Sequence, residues 1–117
     1  MEHWYASVLA CQGTTIYTGD AFGAIHTYDL NGNQGSFSVT ATNSSINDAN
    51  GGLAVDASGN IFTGTSSNAS PIQEFSSSGS LVTQWGSFKG TCNLGVDGSG
   101  NVYISDFASG TIYKYRP

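Results

Sequence analysis

Apolar and polar positions along residues 53–85 follow a two-residue beat broken by turns. Leu53 and Val55 alternate with smaller side chains, Ser58-Gly59-Asn60 interrupts, and the apolar, β-branched run Ile61-Phe62-Thr63 follows. That pattern predicts a hairpin of two short strands closed by a glycine-containing loop. After the turn-like segment 65–71, Ile72, Glu74 and Phe75 predict a third strand. A serine-rich turn ending at Gly79 then leads to Leu81-Val82-Thr83-Gln84-Trp85, a fourth.

This unit is written more than once. Gly52-Leu53-Ala54-Val55-Asp56-Ala57-Ser58-Gly59-Asn60-Ile61-Phe62 returns as Asn93-Leu94-Gly95-Val96-Asp97-Gly98-Ser99-Gly100-Asn101-Val102-Tyr103, and a weaker copy runs from Val8 to Tyr17. Self-similarity at a period of about 20 to 50 residues marks a solenoid, propeller or array. Four short antiparallel strands per copy is the pattern of one propeller blade. In the first copy Ile16-Tyr17-Thr18, Ile25-His26-Thr27-Tyr28 and Ser36-Phe37-Ser38-Val39 predict the second to fourth strands, with a turn at Asn31-Gly32-Asn33. In the last, Val102-Tyr103-Ile104-Ser105 and Thr111-Ile112-Tyr113-Lys114-Tyr115 predict the second and third, which leaves that blade one strand short. Apolar residues nowhere recur at helical spacing, and 16 glycines would weaken any helix. The chain is expected to be all-β: three four-stranded antiparallel blades, the last incomplete, spanning about 7–41, 52–86 and 93–116.

The string Gly-Leu-Ala-Val-Asp-x-x-Gly-Asn-Ile-Phe, followed by Ile-x-x-Phe and Ser-Gly-x-Leu-x-x-x-Trp-Gly, resembles the NHL repeat and related bacterial β-propeller repeats. The resemblance covers about residues 8–116 in three copies and implies a propeller fold. NHL repeats often open the third strand with an Arg before the Ile. Here Ala24, Pro71 and Thr111 hold those places, so the RNA-binding role of some members is not implied.

A propeller closes as a ring of typically about four to eight blades. Three blades leave two apolar faces open to water, and an exposed apolar face of that size marks an interface. The expectation is half of a six-bladed ring, the blade number the resemblance implies, closed by dimerisation about a two-fold axis. Glu2-His3-Trp4-Tyr5-Ala6 carries strand-forming aromatics. Residues 1–6 then either supply the missing outer strand of a partner's third blade or simply prolong the first inner strand.

Charge narrows the partners. Only 9% of residues are charged, against about 25% in an ordinary domain, and three basic side chains face eight acidic ones for a net charge of −5. Lys89, Lys114 and Arg116 form no sequence cluster, so nucleic acid is not an expected partner. With 38% apolar and 12% aromatic residues the chain can still bury a core. No run of about eighteen apolar residues exists to span a membrane as a helix. Val8-Leu9-Ala10-Cys11 is faintly like a lipoprotein processing site but lacks a basic flank, Asn43-Ser44-Ser45 is a glycan acceptor pattern without secretory context, and the compartment stays open.

Candidate chemistry is sparse. Asp56 and Asp97 end inner strands just before Gly-Asn turns, where a carboxylate is expected to bind nearby backbone amides; Cys11 is read as occupying that place in blade one. Asp48-Ala49-Asn50-Gly51 lacks the downstream glutamate of an EF-hand, so no metal site is assigned. Cys11 and Cys92 fall at non-equivalent places and read as two buried free thiols. His3 and His26 stand alone, and no zinc-hydrolase, nucleophile-elbow or Cys-x-x-Cys motif occurs. The function expected is a non-catalytic scaffold, without cofactor, binding a small polar ligand or a protein partner. Its docking face is formed by loops 43–51, 86–93, 19–23, 64–70 and 105–110, which carry Asp20, Phe22, Asn47, Asp48, Asn50, Asn68, Lys89, Asp106 and Phe107. The alternatives are an enzyme of lyase or hydrolase type whose site both chains complete at the ring centre, or a partial propeller with no evolved activity.

Overall fold

A computed structural model describes residues 6–20, 24–40, 52–64, 70–88, 91–106 and 109–116, and the statements below refer to these. Eleven strands occur among them: β1 (Ala6–Gln12), β2 (Thr15–Asp20), β3 (Ala24–Tyr28), β4 (Gln34–Thr40), β5 (Leu53–Val55), β6 (Ile61–Thr63), β7 (Ser70–Phe75), β8 (Leu81–Phe88), β9 (Thr91–Val96), β10 (Val102–Asp106) and β11 (Thr111–Tyr115). They form three antiparallel sheets in sequential order, β1-β2-β3-β4, β5-β6-β7-β8 and β9-β10-β11. The fold is all-β, with sheets of four, four and three strands, referred to below as blades one, two and three.

One turn recurs through the sheets. Asp56 accepts the amide of Gly59 at its carbonyl and donates its own amide to the Asn60 carbonyl, both at 3.0 Å, and Gly59 sits at φ +84°. This is a three-residue hairpin loop whose left-handed position glycine fills without the steric cost of a Cβ. The same backbone pattern closes the turns Asp29–Asn33, Ser76–Ser80 and Asp97–Asn101. Blade one departs at its first hairpin: Gln12 pairs with Thr15 across Gly13-Thr14 alone. Cys11 pairs with Ile16, as Val55 pairs with Ile61 and Val96 with Val102, so Gln12 and not Cys11 holds the place of Asp56 and Asp97. The shorter loop displaced the alignment by one residue.

The registers give every blade the same two faces. On the forward face, toward the following blade, stand a small residue, an aromatic and an isoleucine: Ala10, Tyr17 and Ile25; Ala54, Phe62 and Ile72; Gly95, Tyr103 and Ile112. On the rear face stand Leu9, Cys11, Ile16 and Tyr28; Leu53, Val55, Ile61 and Phe75; Leu94, Val96, Val102 and Tyr115. A period of two puts adjacent residues on opposite faces, so a strand between two blades is apolar at consecutive positions. Hence Leu53, Ala54 and Val55 are all buried.

Two cores result. Ala10, Tyr17, Ile25 and Phe37 of blade one pack on Leu53, Val55, Ile61 and Phe75 of blade two. Ala54, Phe62, Ile72, Trp85 and Phe88 of blade two pack on Leu94, Val96, Val102, Ile104 and Tyr115 of blade three. In the second core Trp85 stacks on Tyr115 with ring centroids 3.8 Å apart, and Phe88 meets Tyr113 edge to face at 5.5 Å. At the inner edge the backbones nearly touch: a Cβ on Gly52 would lie 2.8 Å from the Leu94 nitrogen, and Gly52 has φ +102°.

Two sequence expectations change. The loop placed at 86–93 is mostly strand, because β8 continues to Phe88 and β9 begins at Thr91. Pro71 and Gly86, which look like loop marks, face each other at a bulge: Ser70 pairs with Phe88 and Ile72 with Trp85, so one residue of β7 opposes two of β8. Pro71 has no N–H to leave unpaired there, and Gly86 takes φ +79°. The bulge carries Phe88 into the core. Cys11, read as buried, is exposed, because nothing among the described residues covers the rear face of blade one there; the Cys92 side chain lies outside what is described.

Candidate functional site

Antiparallel meanders put alternate turns at opposite ends of a blade. The β1–β2, β5–β6 and β9–β10 hairpins share one end with the β3–β4 and β7–β8 turns, while the β2–β3, β6–β7 and β10–β11 connections lie at the other. Of the binding residues expected from sequence, Asp20 and Asp106 are described, each at the end of a strand that runs into this second end. Phe22, Asn47, Asp48, Asn50, Asn68, Lys89 and Phe107 lie outside the described residues. Asp20 closes β2 opposite Ala6. Asp106 closes β10 opposite Thr111 and is buried; its carbonyl accepts the Gly110 amide at 2.8 Å.

Three of the five turns at the first end are held by carboxylates. Asp56 Oδ1 accepts the amides of Ser58 and Asn60, both at 2.9 Å, and its Oδ2 accepts the Asn60 side-chain amide at 2.9 Å. Asp29 does the same with Asn31 and Asn33, and Asp97 with Ser99 and Asn101. Asp97 also receives the Tyr103 hydroxyl at 2.9 Å. Donors aimed at a carboxylate favour its ionised form. The Asn33 amide and side chain hold Asp29 below the usual carboxyl value, and the Asn101 side chain and amide, helped by Tyr103 and Ser99, hold Asp97 well below it. Partial burial, with a smaller repulsion from Asp56, pushes Glu74 the other way. The sequence reading identified Asp56 and Asp97 but not Asp29, although Asp29-x-x-Gly32-Asn33 repeats their spacing. The signal was there, at the third strand's end rather than the first's.

Among the described residues no three His, Cys, Asp or Glu side chains converge as metal ligands. None of these residues forms a helix long and apolar enough to cross a membrane.

The two outward sheet faces carry the remaining chemistry. On the forward face of blade three, Ile112 is 74% exposed and Tyr103 36% exposed. They border a depression of about 260 Å³ with Asn93, Gly95 and Ser105, and Lys114 Nζ lies 5.6 Å from the Tyr103 ring centre. On the rear face of blade one, Leu9 is 64% exposed and stands on the strand that also exposes Cys11; Ile16 is half-buried beside them. Side chains of the same type inside the array, such as Ile25, Ile72 and Phe62, are at most 2% exposed.

No protein-family model and no curated protein matches the chain. Solved structures do resemble the chain. A chain from the crystal structure of BBS1N in complex with ARL6DN superposes with a TM-score of 0.65 at 14% identity, covering 96% of this chain and 37% of that one. The crystal structure of RRP9 WD40 repeats gives 0.70 at 12% identity, covering all of this chain and 40% of the other. The fold is therefore that of β-propeller blades. The chain spans less than half the length of either neighbour.

Proposed function

We propose that this protein is a non-catalytic interaction scaffold of the NHL-like bacterial propeller type that assembles as a homodimeric ring. The observation that carries the reading is the exposure of Leu9 on the rear face of blade one and of Tyr103 and Ile112 on the forward face of blade three. Contiguous apolar surface at the ends of a repeat array is the form an interface takes. The NHL-like assignment rests on the Gly-Leu-Ala-Val-Asp-x-x-Gly-Asn string and its copies. Binding without catalysis is favoured because Asp29, Asp56 and Asp97 direct their oxygens at their own turns. The BBS1N neighbour was crystallised in complex with ARL6DN, which supports a protein partner for this fold.

Light scattering tests assembly: the expected mass is twice the 12.1 kDa of one chain. A folded monomer at micromolar concentration overturns the ring. A polar ligand, stacking and hydrogen-bonding at the loop end through Phe22 and Phe107 beside Asp20 and Asp106, is expected to be lost in a Phe22→Ala, Phe107→Ala double variant. A glycan and metabolite screen that returns the same ligands with the variant places the site elsewhere, and turnover of any substrate overturns the non-enzyme reading.

A further inference from the structure

We infer that a depression between the two turns of blade one binds a neutral, polyhydroxylated small molecule about the size of one sugar unit. It lies at the opposite end of the sheets from the polar-ligand site proposed above and stands without that reading. Hairpin length creates it. Four residues, Gln12 to Thr15, join the paired Cys11 and Ile16, where five, Asp56 to Asn60, join Val55 and Ile61. In blade two the longer loop reaches the next turn, since a Cβ on Gly59 would stand 3.1 Å from the Ser77 Cβ. In blade one a Cβ on Gly13 or Gly32 would meet nothing within 4 Å. The gap is a depression of about 260 Å³ bordered by Thr14, Thr15, Thr27, Asp29, Asn33 and Gly35. Thr27 pairs with Tyr17 and Thr15 stands two residues before it, so both threonines lie on the forward face, toward blade two.

The depression holds an unmet hydrogen-bonding group. Thr27 is only 8% exposed, and among the described residues its hydroxyl has no hydrogen-bond partner. That hydroxyl lies over Gly35, where a Cβ would stand 2.5 Å from its oxygen, so the bare glycine leaves it uncovered. A buried hydroxyl without a partner carries a desolvation cost that an arriving hydroxyl removes. Asp29 Oδ1 accepts the Asn31 and Asn33 amides and Oδ2 the Asn33 side chain, three of about four acceptor positions on a carboxylate, and one is left for a ligand hydroxyl. The border carries this carboxylate and no cation, which disfavours anions. Threonine hydroxyls both donate and accept, as the hydroxyls of a sugar do.

Amide chemical shifts in two-dimensional NMR test the site, with methyl α-glucoside, methyl α-mannoside and methyl α-galactoside as neutral probes and glucuronate as the anionic one. At least one neutral probe is expected to shift the Thr14, Thr15, Thr27 and Gly35 amides saturably, with a Kd of about 1–10 mM. Thr27→Val keeps the shape and removes the hydroxyl, and is expected to weaken that binding about three- to tenfold without lowering Tm. A chain in which the five residues of the Asp97–Asn101 turn replace Gln12–Thr15 is expected to fold and to lose the binding. The Phe22→Ala, Phe107→Ala variant is expected to keep it, which separates this site from the loop end. No saturable shift with any neutral probe overturns the inference, as does binding that Thr27→Val leaves unchanged or that shifts only other amides. Glucuronate bound as tightly as the neutral glycosides overturns the assignment of a neutral ligand.

Discussion

Single residues act here mainly through turns and close approaches. Asp97 satisfies three donors from its own turn and one from Tyr103, and its carboxyl is held below the ordinary value of 3.8. A group whose folded pKa is depressed contributes stability that is complete above the unfolded value and is lost as the pH falls toward the folded one. Asp97→Ala is therefore expected to lower Tm by a few degrees at neutral pH. The gap from wild type is expected to narrow as the pH drops below about 4, and a gap constant with pH in thermal scans would rule out the ionised carboxylate as its cause. Glu74 has the opposite sign: its raised pKa makes ionisation weigh against folding, an effect that acid relieves. Gly52 is constrained for a steric reason. Gly52→Ala meets the Leu94 backbone and a left-handed φ together, and is expected to cost at least about 1–3 kcal/mol in denaturant unfolding. A neutral substitution would mean the inner strands can separate freely.

Between elements, stability lies in the two junctions. Phe62 and Ile72 sit in the second core, at 1% and 0% exposure. Phe62→Ala is expected to cost about 3–5 kcal/mol and Ile72→Ala about 2–5 kcal/mol, by lost burial and the cavity left behind. Ile112→Ala, the same register position on the uncovered face, is expected to cost the dilute monomer almost nothing. Equal losses at Ile72 and Ile112 in dilute protein would show that the two faces are not differently covered. The β7–β8 bulge belongs to this scale as well. Gly86→Val places a Cβ against the Phe88 ring at a positive φ, so it is expected to unseat Phe88 from Trp85 and Tyr113. Loss of the near-ultraviolet dichroism of these edge-to-face aromatics would report it.

For the whole molecule, a contact made only by folded chains couples stability to concentration. Anything that binds the native state and not the unfolded one raises Tm by mass action. Tm is therefore expected to rise as the protein is concentrated from the nanomolar to the high micromolar range, and the rise is expected to vanish in Leu9→Asp and Ile112→Asp. A Tm independent of concentration would contradict the ring. The same scale explains why the function reads faintly from sequence. A propeller presents partners with surfaces assembled from several blades, and no single repeat contains one.

Sequence alone determined the strands, because the two-residue alternation and the Asp-x-x-Gly-Asn turns are local: main-chain geometry at Gly59 or Gly100 depends on a few neighbours. Copying of the unit determined the number of sheets in the same way. Three things were decided only by tertiary packing. The bulge joining Pro71 and Gly86 turned apparent loop residues into sheet, because pairing with a neighbouring strand sets a residue's state as much as its own propensity does. The one-residue difference between the first hairpin and those of the other blades is invisible to a consensus, so Cys11 was misplaced by one position and its exposure missed. And although open faces were expected, the register alone shows that Ile112 stands on one while Ile25 and Ile72, at the same place in the repeat, are buried. Burial belongs to the neighbour that arrives, and only the arrangement of blades says where a neighbour is absent.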